Sequence, residues 1–552
     1  MIALYSDLSD LIQEDIQPPA SNPNLMSLST TQCLPFLVIT SSIIIWSWTR
    51  KMRPSLPPGP PRLPLIGNLL DIPAKEPWLA FSAMGDKYGT FFLSLLSMGP
   101  LSHAAAGEIT SLAMPGRTTI LLHTLEAATS VLVQSSALTS ERPVLPMAGG
   151  LCGFETSLPL AQPSGDLDQV RRERKLYHAF QGTPTAISRL IPGLVEEVGA
   201  FLRAVDGRQG VLSDDIRRTT MAIGLRLGFG HKVNHSRPTD LSDTLFDMAE
   251  QSSNNFFRIT TPGASFVDLF PFLRYWPSWL PGGGFHHAAK RINAVLQQTR
   301  YEGLAAVRER MATGVSEPCF ATAVLETDAD EYWARVVPLT LVHGASDTTA
   351  SQLSAFFLAM ALHPDIQRNA QQEIDRVIGR DRLPTVKDRP ELPHVDALSR
   401  EVLRWFVTTP TALPHRANES FIYESSSGPV LIPKDSMIIA NVWKMNRDPR
   451  RYRNPEQFDP SRFLGTEGRA PEEDPGKTVF GFGRRACPGE TTLFLLYSAL
   501  LSVFDIGKAL DERGEEIDIA VGWSSMTVTH PLPFQCAVRT RDEAARKLIR
   551  GL

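Results

Sequence analysis

The stretch FGFGRRACPGE, residues 480–490, sets Cys487 among Gly481, Gly483 and Gly489, directly after Arg484 and Arg485. A cysteine thiolate is a strong donor to iron, provided that it is protected from protonation and oxidation. Glycines permit a loop tight enough to turn backbone N–H groups toward the sulfur. Arg485, two residues earlier, can reach an acidic group on a bound cofactor. The plain alternative is a buried structural cysteine in a glycine-rich turn, the usual state of a lone cysteine. The other cysteines, Cys33, Cys152, Cys319 and Cys536, lie far apart and form no CxxC pair, which points to free thiols in a reducing compartment.

Five further stretches carry residues of chemical interest. EVLR places Glu401 and Arg404 one helical turn apart, and FDPSRF supplies Arg462. GASDTT (344–349) sets Asp347 and Thr348 within a long apolar run. VRRERK (170–175) is a basic helical segment, and PTALPHR (410–416) ends in His415 and Arg416. Taken singly, these would read as a surface ion pair, a helix kink, a solvated face and a strand. Taken in order with the cysteine loop, they resemble one family. The loop fits F-x-x-G-x-R-x-C-x-G at Phe480, Gly483, Arg485, Cys487 and Gly489, and so resembles the cysteine-ligand loop of the cytochrome P-450 superfamily, the haem-thiolate monooxygenases. The likeness runs from about residue 56 to the end and is to fungal microsomal members of secondary metabolism.

The resemblance implies a role for each stretch. Cys487 would be the axial ligand of haem b iron, with Phe480, Gly481 and Gly489 shaping the loop against the cofactor. Arg174, His415 and Arg485 would hold the propionates, with Val170 standing where the family commonly has tryptophan. Glu401, Arg404 and Arg462 would form a structural ionic cluster beneath the haem. Thr348 would donate a hydrogen bond toward dioxygen, and Asp347 would relay protons from solvent, which is general acid work. Thr411, Ala412, Leu413 and His343 would line the substrate pocket, His343 being otherwise an ordinary helix histidine. Arg171, Arg172, Lys175 and Arg484 would present a positive face to an acidic NADPH–haemoprotein reductase, or else a merely solvated one. No G-x-G-x-x-G in a strand-to-helix setting is present to bind NADPH, so the reductase would be a separate protein.

The elements that must position these residues are mainly helical. Residues 76–89 read as an amphipathic helix, 108–123 as a hairpin around Pro115-Gly116, and 124–134 as helix again. Helical patterns dominate from residue 166, the longest being 334–363, apolar on nearly all faces and interrupted by Pro338 and by the polar patch 343–349. Strands return at 430–440 and near the C-terminus. The fold class expected is mostly α with a minor β part, a single large haem-enclosing domain preceded by one N-terminal transmembrane helix.

Residues 31–49 include CLPFLVITSSIIIWSW, which with weaker apolar sequence before it reaches the ~20 residues that span a bilayer. Acidic residues precede this run, and Arg50, Lys51 and Arg53 follow it, so residues 1–30 should be lumenal and the body cytosolic. A buried helix is the alternative. An endoplasmic reticulum membrane location follows, with a stiff proline-rich hinge at 50–70 and the monooxygenase domain at 71–552. The formal net charge of −4 gives no reason to expect nucleic acid as a partner.

Two places depart from the family pattern. Residues 90–107, TFFLSLLSMGPLSHAAAG, look inserted between KYG and the first hairpin, either retained intron sequence or an apolar insert touching the membrane. After Gly489 the chain is about four residues short of the usual spacing, roughly one helical turn. The expected activity is insertion of one oxygen atom from dioxygen into a lipophilic small molecule, as in hydroxylation of a terpenoid. The rivals are a haem-thiolate isomerase or dehydratase needing no external electrons, and a non-catalytic haem-binding protein.

Overall fold

In the computed structural model the described residues are 55–72, 75–89, 107–114, 116–162, 167–235, 243–261, 263–315, 317–328, 330–465, 467–487, 489 and 492–552. The expected anchor at 31–49, nearly all of the insert at 90–107, and residues 490–491 after the cysteine loop lie outside them. The helices of twelve residues or more are α1 (Pro77–Gly89), α2 (Leu167–Gln181), α3 (Pro184–Val205), α4 (Ser213–Phe229), α5 (Thr244–Thr260), α6 (Phe285–Ala312), α7 (Glu331–Leu362), α8 (Pro364–Val377), α9 (Pro393–Trp405) and α10 (Thr492–Val503). The strands are β1 (Ile109–Met114), β2 (Arg117–Leu122), β3 (Gln209–Gly210), β4 (His415–Arg416), β5 (Phe421–Ser425), β6 (Gly428–Ile432), β7 (Met437–Ala440), β8 (Phe504–Lys508) and β9 (Cys536–Thr540). Helix thus outweighs strand, as the sequence suggests.

The expected hairpin forms, with β1 antiparallel to β2 across Gly116 at φ +76°. β7 then joins β2 in parallel and β4 pairs antiparallel with β7, giving the order β1-β2-β7-β4. Side chains alternate between two buried faces. Ile120, Leu122, Ile438 and Ala440 pack with Trp78, while Leu121, Leu112 and Ile439 pack with Phe81. α1 supplies both Trp78 and Phe81, which is why an amphipathic helix lies next to the hairpin.

The proline-rich run 57–61 is neither helix nor strand, and it is docked on β1. Ser111 N donates to Pro58 O at 2.8 Å, and Ser111 Oγ to Pro57 O at 2.5 Å. A Cβ on Gly59 would stand 2.0 Å from Ser111 O, so only glycine fits this approach. Asn68 completes the latch by exchanging hydrogen bonds with the Ala113 backbone.

α7 forms the spine. Asp330 caps it by accepting from Tyr332 N at 3.1 Å, and the helix then runs unbroken for 32 residues through Pro338 and the polar patch. The expected interruptions are therefore absorbed. Gly224 and Gly228 on α4 let the two backbones come together: a Cβ on Gly228 would meet Pro338 O and Val342 Cγ2 at 2.9 Å each. Packing of this closeness holds a helix through a residue that withholds a donor. α10 is buried from Phe494 to Val503 and stacks Tyr497 on Phe356 of α7, with ring centroids 4.4 Å apart. The short spacing after Gly489 thus still leads into a buried helix beside the spine.

Candidate active site

The cysteine loop is built by its glycines. Gly481 and Gly483 adopt φ +76° and +57°, and a Cβ on Gly483 would strike Leu132 O at 2.3 Å. Cys487 N donates to Phe480 O at 2.6 Å, closing the turn, and Gly489 N points at Cys487 Sγ from 3.4 Å. Cys487 is exposed, whereas Cys152, Cys319 and Cys536 are buried. The loop thus presents one accessible sulfur, with a backbone donor aimed at it. Phe480 is partly buried and borders a small cavity with Arg389, Asp474 and Phe494.

Around this loop the fold gathers cations. Arg174 on α2 reaches across to Ala486 O at 2.9 Å, the residue before the cysteine. Arg485 is buried and spends its guanidinium on the carbonyls of Ser140, Leu158 and Ala161, at 2.8, 3.0 and 2.6 Å. His415 on β4 is buried with Nδ1 2.7 Å from Thr139 O. The sequence reading missed a fourth member, Arg142, which is 5% exposed and donates to Leu413 O and Pro414 O at 2.7 and 2.8 Å. Its Nε is buried with no hydrogen bond.

The three arginines oppose one another, and they keep His415 neutral beside them. Burial pushes the Arg142 guanidinium well below its ordinary range, and the charges of Arg485 and Arg174 push it further. Burial and then Arg174 bring Arg485 down to about 10. Burial, Arg142 and Arg485 drive His415 down to about 3, against the pull of its bond to Thr139. Glu141 and Glu173 stand near Arg485, but burial pushes Glu173 up to about 7, which halves its charge at neutrality. A buried cluster of like charges with an orphaned donor is costly unless an anion completes it. A cofactor carrying two carboxylates beside a thiolate ligand meets that need.

The three residues assigned to the ionic cluster come together fully buried. Arg404 Nε and Nη2 grip Glu401 at 2.7 and 2.8 Å, and its remaining donors reach Asn446 O, Pro455 O and Gln457 O. Arg462 Nε lies 3.1 Å from the same carboxylate and Nη1 2.7 Å from Glu472. The cluster staples α9 to the loop 446–462.

On α7, Gly344 is exposed in the middle of a buried helix, and a Cβ there would find nothing within 4 Å. The backbone therefore borders open space at this turn. Thr348 Oγ1 donates back to Gly344 O at 2.6 Å, so its hydrogen is engaged and its lone pairs face outward. Asp347 Oδ1 lies 3.0 Å from His530 Nε2. His343 does not border that space: it is 3% exposed, bonded to Ser252 and stacked on Phe256, and burial drives it down to about 3. The exposed position at this turn is Gly344, the next residue. Thr411 and Leu413 are partly buried around Ala412, which holds a left-handed φ of +50°. Arg142 fixes this bend through Leu413 O and Pro414 O, so the cation cluster and the bend share a residue.

Val170 is buried, and Arg171, Arg172, Lys175 and Arg484 are exposed. Arg172 stacks over Trp333 at 5.4 Å and approaches Asp330 at 3.8 Å. Among the described residues no helix is long and apolar enough to cross a membrane.

Comparison with known proteins agrees with this geometry. The family model Cytochrome P450 matches residues 102–538. The chain is 38% identical over 505 residues to cytochrome P450 monooxygenase claR of Ampulloclitocybe clavipes, covering 90% of this chain and 89% of that one. It is 34% identical to cytochrome P450 monooxygenase 208 of Postia placenta, over 94% and 96% of the two chains. To the tryptamine 4-monooxygenase of Psilocybe cyanescens it is 31% identical, over 93% and 99%. An exposed thiol in a glycine-built loop, a buried cation cluster in need of carboxylates and a family match across most of the chain converge: this protein belongs to the cytochrome P450 family and is a haem-thiolate monooxygenase.

Proposed function

We propose that the protein hydroxylates a lipophilic small molecule in fungal secondary metabolism, with Cys487 as the iron ligand and electrons delivered from NADPH by a separate reductase. The observation that carries the assignment of residues is the cation cluster beside Cys487, whose arginines repel one another and whose Arg142 Nε is orphaned. Arg142, Arg174, Arg485 and His415 would hold the propionates. Haem bound by a thiolate supplies the two-electron chemistry of dioxygen, one atom going to the substrate and the other to water.

The protein's own groups do the rest. Gly489 N–H steadies the sulfur as thiolate. Gly344 keeps the distal side open. Thr348 offers hydroxyl lone pairs that hold water there, and Asp347 moves protons to that water from outside. The bend 411–413 forms part of the substrate wall, and the relatives named above support a substrate of the secondary-metabolite class. Arg171, Arg172, Lys175 and Arg484 would form the reductase-facing surface, and residues 31–49 would anchor the protein in the endoplasmic reticulum membrane.

The test is expression of the full chain with an NADPH–haemoprotein reductase, followed by the carbon monoxide difference spectrum and a metabolite screen. A red-shifted Soret band that vanishes in Cys487→Ser is expected. No such band in the parent protein would remove the assignment. Turnover without NADPH would favour the isomerase reading, and a normal spectrum with no product from any lipophilic panel the non-catalytic one.

A further inference from the structure

α7 turns Asp347 and Ser351, four residues apart, onto one face, and that face meets a turn far along the chain at 524–530. Ser351 Oγ donates to Thr529 O at 2.6 Å. Thr529 N donates to Thr408 O at 2.8 Å, and its hydroxyl to Val407 O at 3.0 Å. Ser524 N and His530 O bond at 2.9 Å, and His530 N reaches Ser524 Oγ at 2.9 Å. Thr529 is thus fastened to both α7 and residues 407–408, and His530 is closed into its own turn. The imidazole that projects from this fixed backbone puts Nε2 3.0 Å from Asp347 Oδ1, with the two side chains 18% and 20% exposed.

An ionised carboxylate only accepts, so Nε2 carries the hydrogen. We infer that His530 is a positioning residue for Asp347: its Nε2–H holds Oδ1 in place and leaves Oδ2 as the single oxygen that exchanges protons with water. This rests on the proton-relay reading of Asp347 given above. Without the imidazole, the partly exposed carboxylate of Asp347 loses this hydrogen bond and is freer to turn about χ1 and χ2. A carrier that must meet a water in one geometry loses much of its value when it wanders by an ångström. Nothing in the motif around Asp347 discloses His530, because the two are joined only by the folding of the C-terminal turn onto the spine.

The test uses the full haem-loaded chain with NADPH–haemoprotein reductase and no substrate, measuring how consumed dioxygen divides between water and hydrogen peroxide. His530→Leu should lower the water-to-peroxide ratio about tenfold, short of the roughly hundredfold that a positioned proton donor contributes. His530→Gln, which keeps an N–H donor, should recover most of it. The carbon monoxide difference spectrum must match the parent in each variant, and if His530→Leu fails that check, His530→Ala takes its place. An independent reading comes from NMR of the ¹⁵N-histidine-labelled, carbon monoxide-bound ferrous protein. The ring signal absent from His530→Gln should show a protonated Nε2 and should move in Asp347→Asn.

A parental ratio in folded His530→Leu, or a ring signal unmoved by Asp347→Asn, would overturn the inference. The two readings separate cleanly. If Asp347→Asn lowers the ratio and His530→Leu does not, the relay stands and the positioning falls. If Asp347→Asn itself keeps the parental ratio, both fall.

Discussion

Arg142 shows how much one side chain can bind together. Its guanidinium holds two carbonyls of the bend after α9, it repels Arg174 and Arg485, and its Nε has nothing to donate to. Replacing it by leucine removes the proposed propionate partner and unfastens Leu413 and Pro414 at once. Arg142→Leu should therefore purify with a clearly lower haem-to-protein ratio than the parent, measured by pyridine haemochrome absorbance against protein concentration. Arg172→Ala is the control: its ion pair with Asp330 is 3.8 Å long and exposed, worth ~0–1 kcal/mol, and its haem content should equal the parent's. Equal haem content in the two variants would refute the part given to Arg142. The difference in legibility between neighbours here has a physical origin. Cys487, Arg485 and the loop glycines are tied by local backbone geometry, so their spacing is fixed and can be read from the chain. Arg142 and His530 work through contacts between distant segments, which leave no spacing to read. For Arg142 the only trace in the sequence was an arginine between Glu141 and Pro143 in a stretch that is otherwise apolar and small.

At the scale of elements, the sequence disclosed more of the helices than of their joints. The period of α2, α3 and α4 and the alternation of β1 and β2 are local signals, and the structure has these elements where the patterns lie. The parallel pairing of β2 with β7 and the docking of residues 57–59 on Ser111 depend on which surfaces meet, and patterning along one segment does not specify that. Pro338 and the polar patch argued for breaks in α7, but tertiary packing against α4 overrode them. The glycines on either side of this joint give opposite expectations. Gly228→Ala places a methyl 2.9 Å from Pro338 O and Val342 Cγ2, an overpacking that costs about 1–3 kcal/mol. Gly344→Ala meets nothing within 4 Å and gains helix propensity, about 1 kcal/mol in its favour. Thermal melts of the two variants should move in opposite directions, and a melting temperature for Gly228→Ala at or above the parent's would show that the α4–α7 contact yields to a methyl group. The ionic cluster makes a sharper case. Glu401→Gln leaves Arg404 and Arg462 buried without their shared carboxylate, and breaking such a pair costs about 3–5 kcal/mol. That is a large share of a typical stability of about 5–15 kcal/mol, so the variant should accumulate mainly as insoluble protein. Soluble, haem-loaded Glu401→Gln at parental yield would contradict a folding role.

Over the whole molecule, buried ionisable groups pull stability in opposite directions as pH changes. His123, His343 and His415 are each driven down to about 3, chiefly by burial, so the folded protein binds fewer protons than the unfolded chain between about pH 3 and 6.5. Their contribution is complete above pH 6.5 and is lost as pH falls through that window, by about 2 kcal/mol each at pH 5. Glu173 acts the other way. It is 0% exposed, Oε1 accepts from Gln169 at 3.0 Å, Oε2 has no partner, and burial pushes the carboxyl up to about 7. Here the folded state binds more protons than the unfolded chain from about pH 4.5 to 7. Stability is therefore lost as pH rises through that range, and above it the loss is constant at about 3 kcal/mol. Part of the acid loss from the three histidines is thus offset by Glu173, which flattens the pH profile of the parent. Glu173→Gln removes the offset while keeping the shape of the side chain. The variant should be more stable than the parent by about 2–3 kcal/mol at pH 8, with the gap closing toward pH 5. Its own stability should consequently fall more steeply than the parent's between pH 7 and 5, because the histidines then act alone. Urea unfolding of both proteins at pH 8, 6.5 and 5 measures this directly. A gap that stays constant with pH would mean that Glu173 is already ionised in the fold, held so by Arg485 and Arg300 beside it.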